Sequence, residues 1–461
     1  MQSEGDVTLI EGRAGRSRLL LRVLGVVFGL AVTIGITIGM GILRTPGEVA
    51  ARLPDARLFI GVWVVGGLYA LLGAVSVAEL GAMVPRSGGI YVFARRALGE
   101  YPGFVVGWSD WLSTCGTIAA VALVTGEYSG ALVPALAGRA ALVALFVTVA
   151  FALLQWAGVR WGSRAQTLTS LVKTLAFAAL IAAFFVFGGR GSIGADVSAS
   201  SSPLQVPAGL AFWTALVLAL QGVIYTYDGW SSTTYFGEEV RDPGRSVPRA
   251  MIGSVLLVIG IYLLLNLALL YVLPLERLAG DNLAIGGAAE MIFGARGKLI
   301  ISALATVSML AAVNGSTLAA PRVLYAMSRD ELFWRRASDV NRGGTPTVAL
   351  ALSTVMAAVL IVFSGTFARL LAALAFFFVI NYAVAFVSVF VLRRREPQTP
   401  RPYRAWGYPL TTGLALAGSI AFLLGAVVGD TENSVYALLL LALSYPAFVL
   451  FRHWARAGTG V

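Results

Sequence analysis

Twelve apolar runs, each near the length that crosses a bilayer as one helix, divide this chain of 461 residues. They lie near 20–50, 58–82, 95–126, 139–157, 164–188, 206–238, 248–273, 299–327, 347–364, 368–392, 409–428 and 434–452. About 20 apolar residues suffice for one span. Inside hydrocarbon every peptide group must be bonded within the protein, which leaves helices as the natural spanning element for runs of this length. Charged residues make up only 12% of the chain, against about 25% in soluble domains. The expected fold class is an all-α polytopic membrane protein with 12 transmembrane helices.

The charge distribution orients these spans. With both termini taken as cytoplasmic, 24 of the 34 Lys and Arg residues fall on the cytoplasmic side, nine fall opposite, and Lys173 lies inside a span. That bias follows the positive-inside rule. It accounts for the net charge of +11 without a nucleic-acid partner. A cell-membrane protein with N- and C-termini in the cytoplasm is expected. The first run is too long and too central for a cleaved signal peptide. With one cysteine, Cys115, and one histidine, His453, neither an intrachain disulfide nor a Cys-rich metal site is available. No cofactor, no metal and no enzyme chemistry are expected.

Two places interrupt the apolar pattern at membrane depth. In Tyr227-Asp228-Gly229-Trp230 a carboxylate and a helix-breaking glycine follow the run 208–224. Asp at a helix centre costs about 2.5–3.5 kcal/mol on insertion scales, and is tolerated where a helix is interrupted and faces protein or a wet cavity. The sixth span is therefore expected to break here, with a second half-helix from about Ser231 to Val240. In the first span Gly35, Gly39 and Gly41 cluster before Arg44 and Pro46. Gly35 and Gly39 suit close helix packing; alternatively, Gly39-Met40-Gly41 breaks the helix and exposes backbone amides. Interrupted helices in corresponding positions of two halves mark transporter binding sites, and the two breaks here open the first and sixth spans. That spacing predicts two inverted five-helix repeats, 20–190 and 203–395. Helices 11 and 12 would occupy 405–452, between an N-terminal tail, 1–19, and a C-terminal tail, 453–461.

Other polar residues inside spans have two readings. Lys173, one of two lysines, either snorkels from a helix end or stands buried as a resident cation or proton carrier. Glu79 would pair with Arg86 or cap a loop. Trp108 and Trp111 would be interfacial. Asn314, Ser316 and Thr317 need interhelical partners, and Asn314, Tyr382 and Ser113 are candidates to line a pocket.

The segment IGMGILRTP resembles the first-helix Gly-Ser-Gly-Ile-Phe motif of the amino acid–polyamine–organocation superfamily. YTYDGWSSTTYFGEEVRDPGRSVPRA is similar to its sixth-helix signature, and AELGAMVPRSGGIYVFARRALG and VNGSTLAAPRVLYAMSRDELF match further anchors. The resemblance covers about 20–395 and is nearest to the L-type amino acid transporter branch and its bacterial relatives. It implies a leucine-transporter-like fold with helices 1 and 6 discontinuous and two helices added. The amides around Gly39, Met40 and Gly41 would hold a substrate carboxylate, as a helix N-terminus favours an anion. Carbonyls near Ile36, Thr37, Tyr225 and Thr226 would hold the α-amine, and Tyr225 would also be a gate. Asp228 would contact the amine or cap a half-helix. Lys173 would occupy the space of a sodium ion and serve ion coupling. Met40 stands where the family carries serine, keeping the amide but losing a hydroxyl, and Leu43 replaces the usual Phe. The loop between spans three and four lacks cysteine, so no disulfide-linked heavy chain is expected, and the chain is expected to act as a monomer. The implied function is sodium-independent transport of small or medium neutral amino acids. Alternatives are a polyamine or organic cation held by Asp228 and Glu127, or sodium symport.

Overall fold

The computed structural model describes residues 19–190, 205–281, 283–363, 367–429 and 431–457. The ends of both predicted tails, 1–18 and 458–461, lie outside the described residues. Among those residues the regular structure is helical, with only isolated backbone bridges beside it.

In chain order the helices are α1 (Val26–Thr37), α2 (Gly41–Arg52), α3 (Ala56–Met83), α4 (Ile90–Leu98), α5 (Glu100–Leu132), α6 (Ala140–Ala157), α7 (Val159–Phe187), α8 (Leu210–Thr226), α9 (Pro243–Val272), α10 (Leu275–Leu278), α11 (Ala284–Phe293), α12 (Arg296–Arg329), α13 (Thr347–Phe363), α14 (Phe367–Arg395), α15 (Leu410–Gly429), α16 (Thr431–Ala442) and α17 (Ser444–Ala457). Among the described residues, eight helices are long and apolar enough to cross a membrane, and α1 with α2, bent by 45°, passes the same test as one broken span. Helices α8 and α13 are apolar but shorter, 17 residues each. The last apolar run is divided between α16 and α17.

Helices α5 and α12, 33 and 34 residues long, pack along one another, and α12 also meets α1, α6, α7 and α13. Helix α9 lies against α3 and α1. These contacts bury the polar centre. The outward faces of α6, α7 and α15 carry exposed Leu142, Phe146, Leu153, Leu168, Leu175 and Leu424, as a lipid-facing surface requires.

After the break at Asp228-Gly229 the chain does not resume an α-helix. It forms one 3₁₀ turn, Ser232–Tyr235, which corrects the half-helix expected over Ser231 to Val240. The reason is local. Ser232 Oγ donates to Gly229 O at 2.6 Å and Thr234 Oγ1 to Ser231 O at 2.7 Å. Hydroxyls this close offer the backbone an alternative to the helical ladder. Beyond the turn, Val240 bridges to Leu24 and Phe236 to Ser87.

The face carrying α4 is closed by ion pairs. Glu239 and Arg322, 0% and 1% exposed at their side chains, form a two-pronged bond at 2.8 and 2.9 Å. The Arg322 guanidinium also lies over the Phe236 ring, 4.8 Å from its centre. Arg329 pairs with Glu238, and both Arg86 and Arg95 pair with Asp330. Glu79 therefore does not pair with Arg86. It accepts from Arg393 at 2.9 and 2.5 Å, from Arg401 at 3.2 Å and from Ala405 N at 2.7 Å, tying the α14–α15 connection to α3. Trp111 is not interfacial either: it is buried, and its Nε1 donates to Ser353 Oγ at 3.0 Å.

Removing one member of a buried pair strands the other charge, a loss of about 3–5 kcal/mol, whereas an exposed pair contributes about 0–1 kcal/mol. Arg322→Ala should sharply lower the thermal unfolding midpoint in detergent. Arg52→Ala, which removes an exposed pair with Glu48, should leave it almost unchanged. Equal midpoints for the two variants would refute this account of the closed face.

Candidate functional site

The site forms where α1 and α8 stop. α1 ends at Thr37 and α2 starts at Gly41, while α8 ends at Thr226. Gly229 holds φ +105°, a conformation glycine adopts without strain. A Cβ there would stand 2.7 Å from Thr37 Oγ1 and 3.1 Å from Thr37 N. A Cβ on Gly41 would stand 2.7 Å from Thr226 Oγ1. Glycine at these two positions lets the two interruptions lie directly against each other.

Interrupted helices leave carbonyls without intrahelical donors, and two residues supply them. Lys173, from α7, is fully buried. Its Nζ donates to Gly35 O at 2.8 Å, Ile38 O at 2.5 Å and Ser308 O at 3.2 Å, using all three ammonium protons. A cation is favoured there because the C-terminal end of α1 carries partial negative charge. The snorkelling reading of Lys173 is excluded by this burial. Tyr262, from α9, puts its hydroxyl 2.8 Å from Thr37 O and 3.1 Å from Thr226 O. One group thus bridges the ends of both half-helices.

Next to this junction is a cavity of about 30 Å³, space for roughly two waters. Its walls include Ile36 beside the first break, Asp228 to Ser232 at the second without Trp230, Asp110 on α5, Ser316 on α12, and Asn381 and Tyr382 on α14. Two Tyr–Asp bonds cross it in opposite senses. Tyr235 OH donates to Asp110 Oδ1 at 2.7 Å, and Tyr382 OH donates to Asp228 Oδ1. The Trp230 ring covers Tyr382, with centroids 4.5 Å apart. An amino acid enters only when these walls part.

The candidates of the sequence fall into three groups. Ile36 and Asp228 line the cavity, and Tyr225 lines a smaller adjoining one with Asp228 and Tyr382. Gly39, Met40 and Gly41 form the first break beside it but are absent from its walls, Met40 being buried. The carbonyls of Thr37 and Thr226 are taken by Tyr262, and that of Tyr225 by Asp228 N at 3.0 Å. Asn314 lies elsewhere: its Oδ1 accepts from Gln155 Nε2 at 2.6 Å, and its Nδ2 donates to Gln166 Oε1 at 2.7 Å. It joins α6, α7 and α12 rather than facing the cavity. Glu127, raised as a cation ligand, is bound to Arg44 and stands outside the walls.

Sequence reasoning missed Tyr262, Ser308, Tyr235 and the pairing of Asp110. Tyr262 shares the apolar run 248–273 with the hydroxyl residues Ser254 and Tyr271, so nothing local singles it out. Tyr262→Phe removes the hydroxyl shared by the two carbonyls; Thr37 O keeps Gly39 N at 2.8 Å, but Thr226 O loses its donor, at about 1–3 kcal/mol. The unfolding midpoint should fall by several degrees, and an unchanged midpoint would remove the hydroxyl from this bridging role.

The chain matches the amino acid permease family over residues 21–445. It is 31% identical to the serine/threonine exchanger SteT of Bacillus subtilis over 438 residues, covering 93% of this chain and 96% of that protein. Identity to the human b(0,+)-type amino acid transporter 1 is 26% over 463 residues, covering 97% and 92%. Identity to the human large neutral amino acids transporter small subunit 2 is 27% over 445 residues, covering 90% and 81%. With its interrupted helices meeting at a buried polar cavity and a match along nearly its full length, the chain belongs to the amino acid permease family, near the L-type branch of the amino acid–polyamine–organocation superfamily, and is a membrane transporter rather than an enzyme.

Proposed function

We propose that this protein is a sodium-independent secondary transporter of small or medium neutral amino acids, working by exchange or proton-coupled uptake with alternating access. The observation that carries this reading is the Lys173 ammonium, held by the carbonyls of Gly35 and Ile38 at the end of α1 and of Ser308 on α12. A fixed cation there supplies what a bound sodium ion would supply, and leaves no acceptor set for a second cation at that point. The name of the Bacillus subtilis relative favours exchange.

In this reading the amides that open α2 hold the substrate carboxylate, with Gly39, Met40 and Gly41 at that turn. An N-terminal helix end offers N–H groups and a positive dipole to an anion. The α-amine lies between the breaks, near Ile36 and Asp228, and takes the carbonyls of Thr37 and Thr226 when Tyr262 moves aside. Tyr225 and Tyr382 gate the cavity. The architecture is twelve helices, with two inverted five-helix repeats over 20–190 and 203–395 and two further helices over 405–452. The protein lies in the cell membrane as a monomer with both termini cytoplasmic. The closed, arginine-rich face then points to the cytoplasm. No disulfide-linked accessory chain is included, because Cys115 is buried within α5.

A second reading, an organic cation as cargo, is favoured by the two carboxylates, Asp110 and Asp228, in the cavity wall.

Counterflow of radiolabelled neutral amino acids into proteoliposomes should proceed without sodium. Uptake that requires a sodium gradient, or that accepts diamines alone, would overturn the leading reading. Lys173→Ala removes the ammonium from Gly35 O, Ile38 O and Ser308 O and should lower counterflow at least about tenfold, which corresponds to 1.4 kcal/mol. Full uptake with the wild-type pH profile would remove Lys173 from ion coupling.

A further inference from the structure

Beside the closed face, where α4 gives way to α5, lies a cavity of about 270 Å³. Its walls carry Arg86 ahead of α4, Arg95 and Arg96 on α4 and Glu100 at the start of α5, together with the apolar Val84 and Val92. The three arginine side chains are 34%, 30% and 37% exposed, so each reaches a carboxylate without being closed off from solvent. The carboxylates do not match them in number. Arg86 Nη2 and Arg95 Nη1 share a single oxygen, Asp330 Oδ1, at 2.9 and 3.0 Å, and Tyr91 OH donates to Oδ2 at 3.0 Å. One carboxylate thus serves two guanidinium groups. The other charges at the cavity balance. Arg96 makes a two-pronged bond with Glu396, at 3.0 and 2.7 Å, and Glu100 pairs with Arg452 at 3.2 Å. The pair Arg86–Arg95 therefore keeps one unit of positive charge uncompensated at the cavity. The same imbalance recurs next door, where Glu79 alone serves Arg393 and Arg401.

We propose that this cavity binds the phosphate of an anionic phospholipid, held by Arg86 and Arg95. The depth suits a lipid. Tyr101, the neighbour of Glu100, and Tyr445 on α17 are exposed and meet edge to face, with centroids 5.6 Å apart. Exposed tyrosines at the ends of spans mark the level of the head groups, and basic pockets between membrane helices take anionic head groups. The chemistry suits a phosphate. A guanidinium offers a planar fork of donors that matches phosphate oxygens two at a time. A phosphate diester brings the single negative charge that the Arg86–Arg95–Asp330 cluster lacks. A zwitterionic lipid carries its own ammonium into a place already short of anions. Free phosphate shares the anion chemistry but has no acyl chains to hold it at the bilayer. Asp330 directly follows α12, so an occupied cavity steadies the join between α12 and α4. This site is separate from the cavity at the helix breaks and does not depend on what the protein carries.

The experiment measures the thermal unfolding midpoint of the full chain in neutral detergent, with dioctanoyl-phosphatidylglycerol, dioctanoyl-phosphatidylcholine or inorganic phosphate added at equal concentration. A ligand that binds only the folded state raises the midpoint by mass action. Phosphatidylglycerol should raise it saturably by several degrees, and less at high salt, whereas phosphatidylcholine should leave it unchanged. Arg95→Gln should abolish most of the rise. That substitution leaves Asp330 paired with Arg86, so it removes the surplus charge and keeps an ion pair in place. Arg164→Gln, at an exposed arginine on α7, should retain the full rise. The wild-type arm needs no variant to fold, so equal rises with the two lipids overturn the proposal by themselves. A rise with inorganic phosphate as large as that with phosphatidylglycerol overturns the lipid in favour of a soluble anion. A rise undiminished in Arg95→Gln, or lost equally in Arg164→Gln, overturns the assignment to this cavity. Should Arg95→Gln fail to fold, Arg86→Gln, which leaves Asp330 with Arg95, gives the same test. None of these outcomes bears on the transport reading, which counterflow decides separately.

Discussion

A peptide carbonyl released from a helix inside a bilayer has no water to turn to, and this protein releases several at one place. The cost is met from within the fold. A lysine ammonium from α7 and a tyrosine hydroxyl from α9 reach the ends of α1 and α8. The rest of the centre depends on that arrangement. It keeps two interrupted helices stable beside a cavity, and it places helix ends with opposite dipole signs at the same depth. An uninterrupted pair of helices would be more stable but would present no free peptide groups to a ligand.

Around this junction the polar contacts divide by role. Gln155, Asn314 and Gln166 form a chain of amide hydrogen bonds, 2.6 and 2.7 Å long, and hold α6, α7 and α12 together. Tyr235–Asp110 and Tyr382–Asp228 cross the cavity itself. The first set lies between helices packed along their lengths. The second joins the interrupted segment to α5 and α14, so it must break whenever that segment moves relative to them. Only the second set is placed to sense an occupant.

Much of this was readable from local chemistry. Asp228-Gly229 within an apolar run announced a break, because neither residue belongs in a lipid-exposed helix. The glycines from Gly35 to Gly41 announced the other, although their pattern also suited packing. Lys173 stood out as an isolated charge at membrane depth. What stayed hidden depended on partners distant in the chain. The role of Tyr262 requires Thr37, 225 residues away. Asn314 reads as a pocket residue from its own segment, but its partners are Gln155 and Gln166. Glu79 had a plausible neighbour in Arg86, yet its partners come from 314 and 322 residues further on. The 3₁₀ turn after Gly229 was missed for a different reason. Its Ser and Thr hydroxyls, in Ser231-Ser232-Thr233-Thr234, compete with helix geometry at short range.

Glu239 is used twice. Its carboxylate grips Arg322 on α12, while its carbonyl accepts from Leu24 N at 2.9 Å, and Arg241 N returns a bond to Leu24 O at 2.8 Å. The beginning of the first span and the C-terminal part of α12 are thus fastened through one residue. Displacing either side strains the other, because a single residue anchors both.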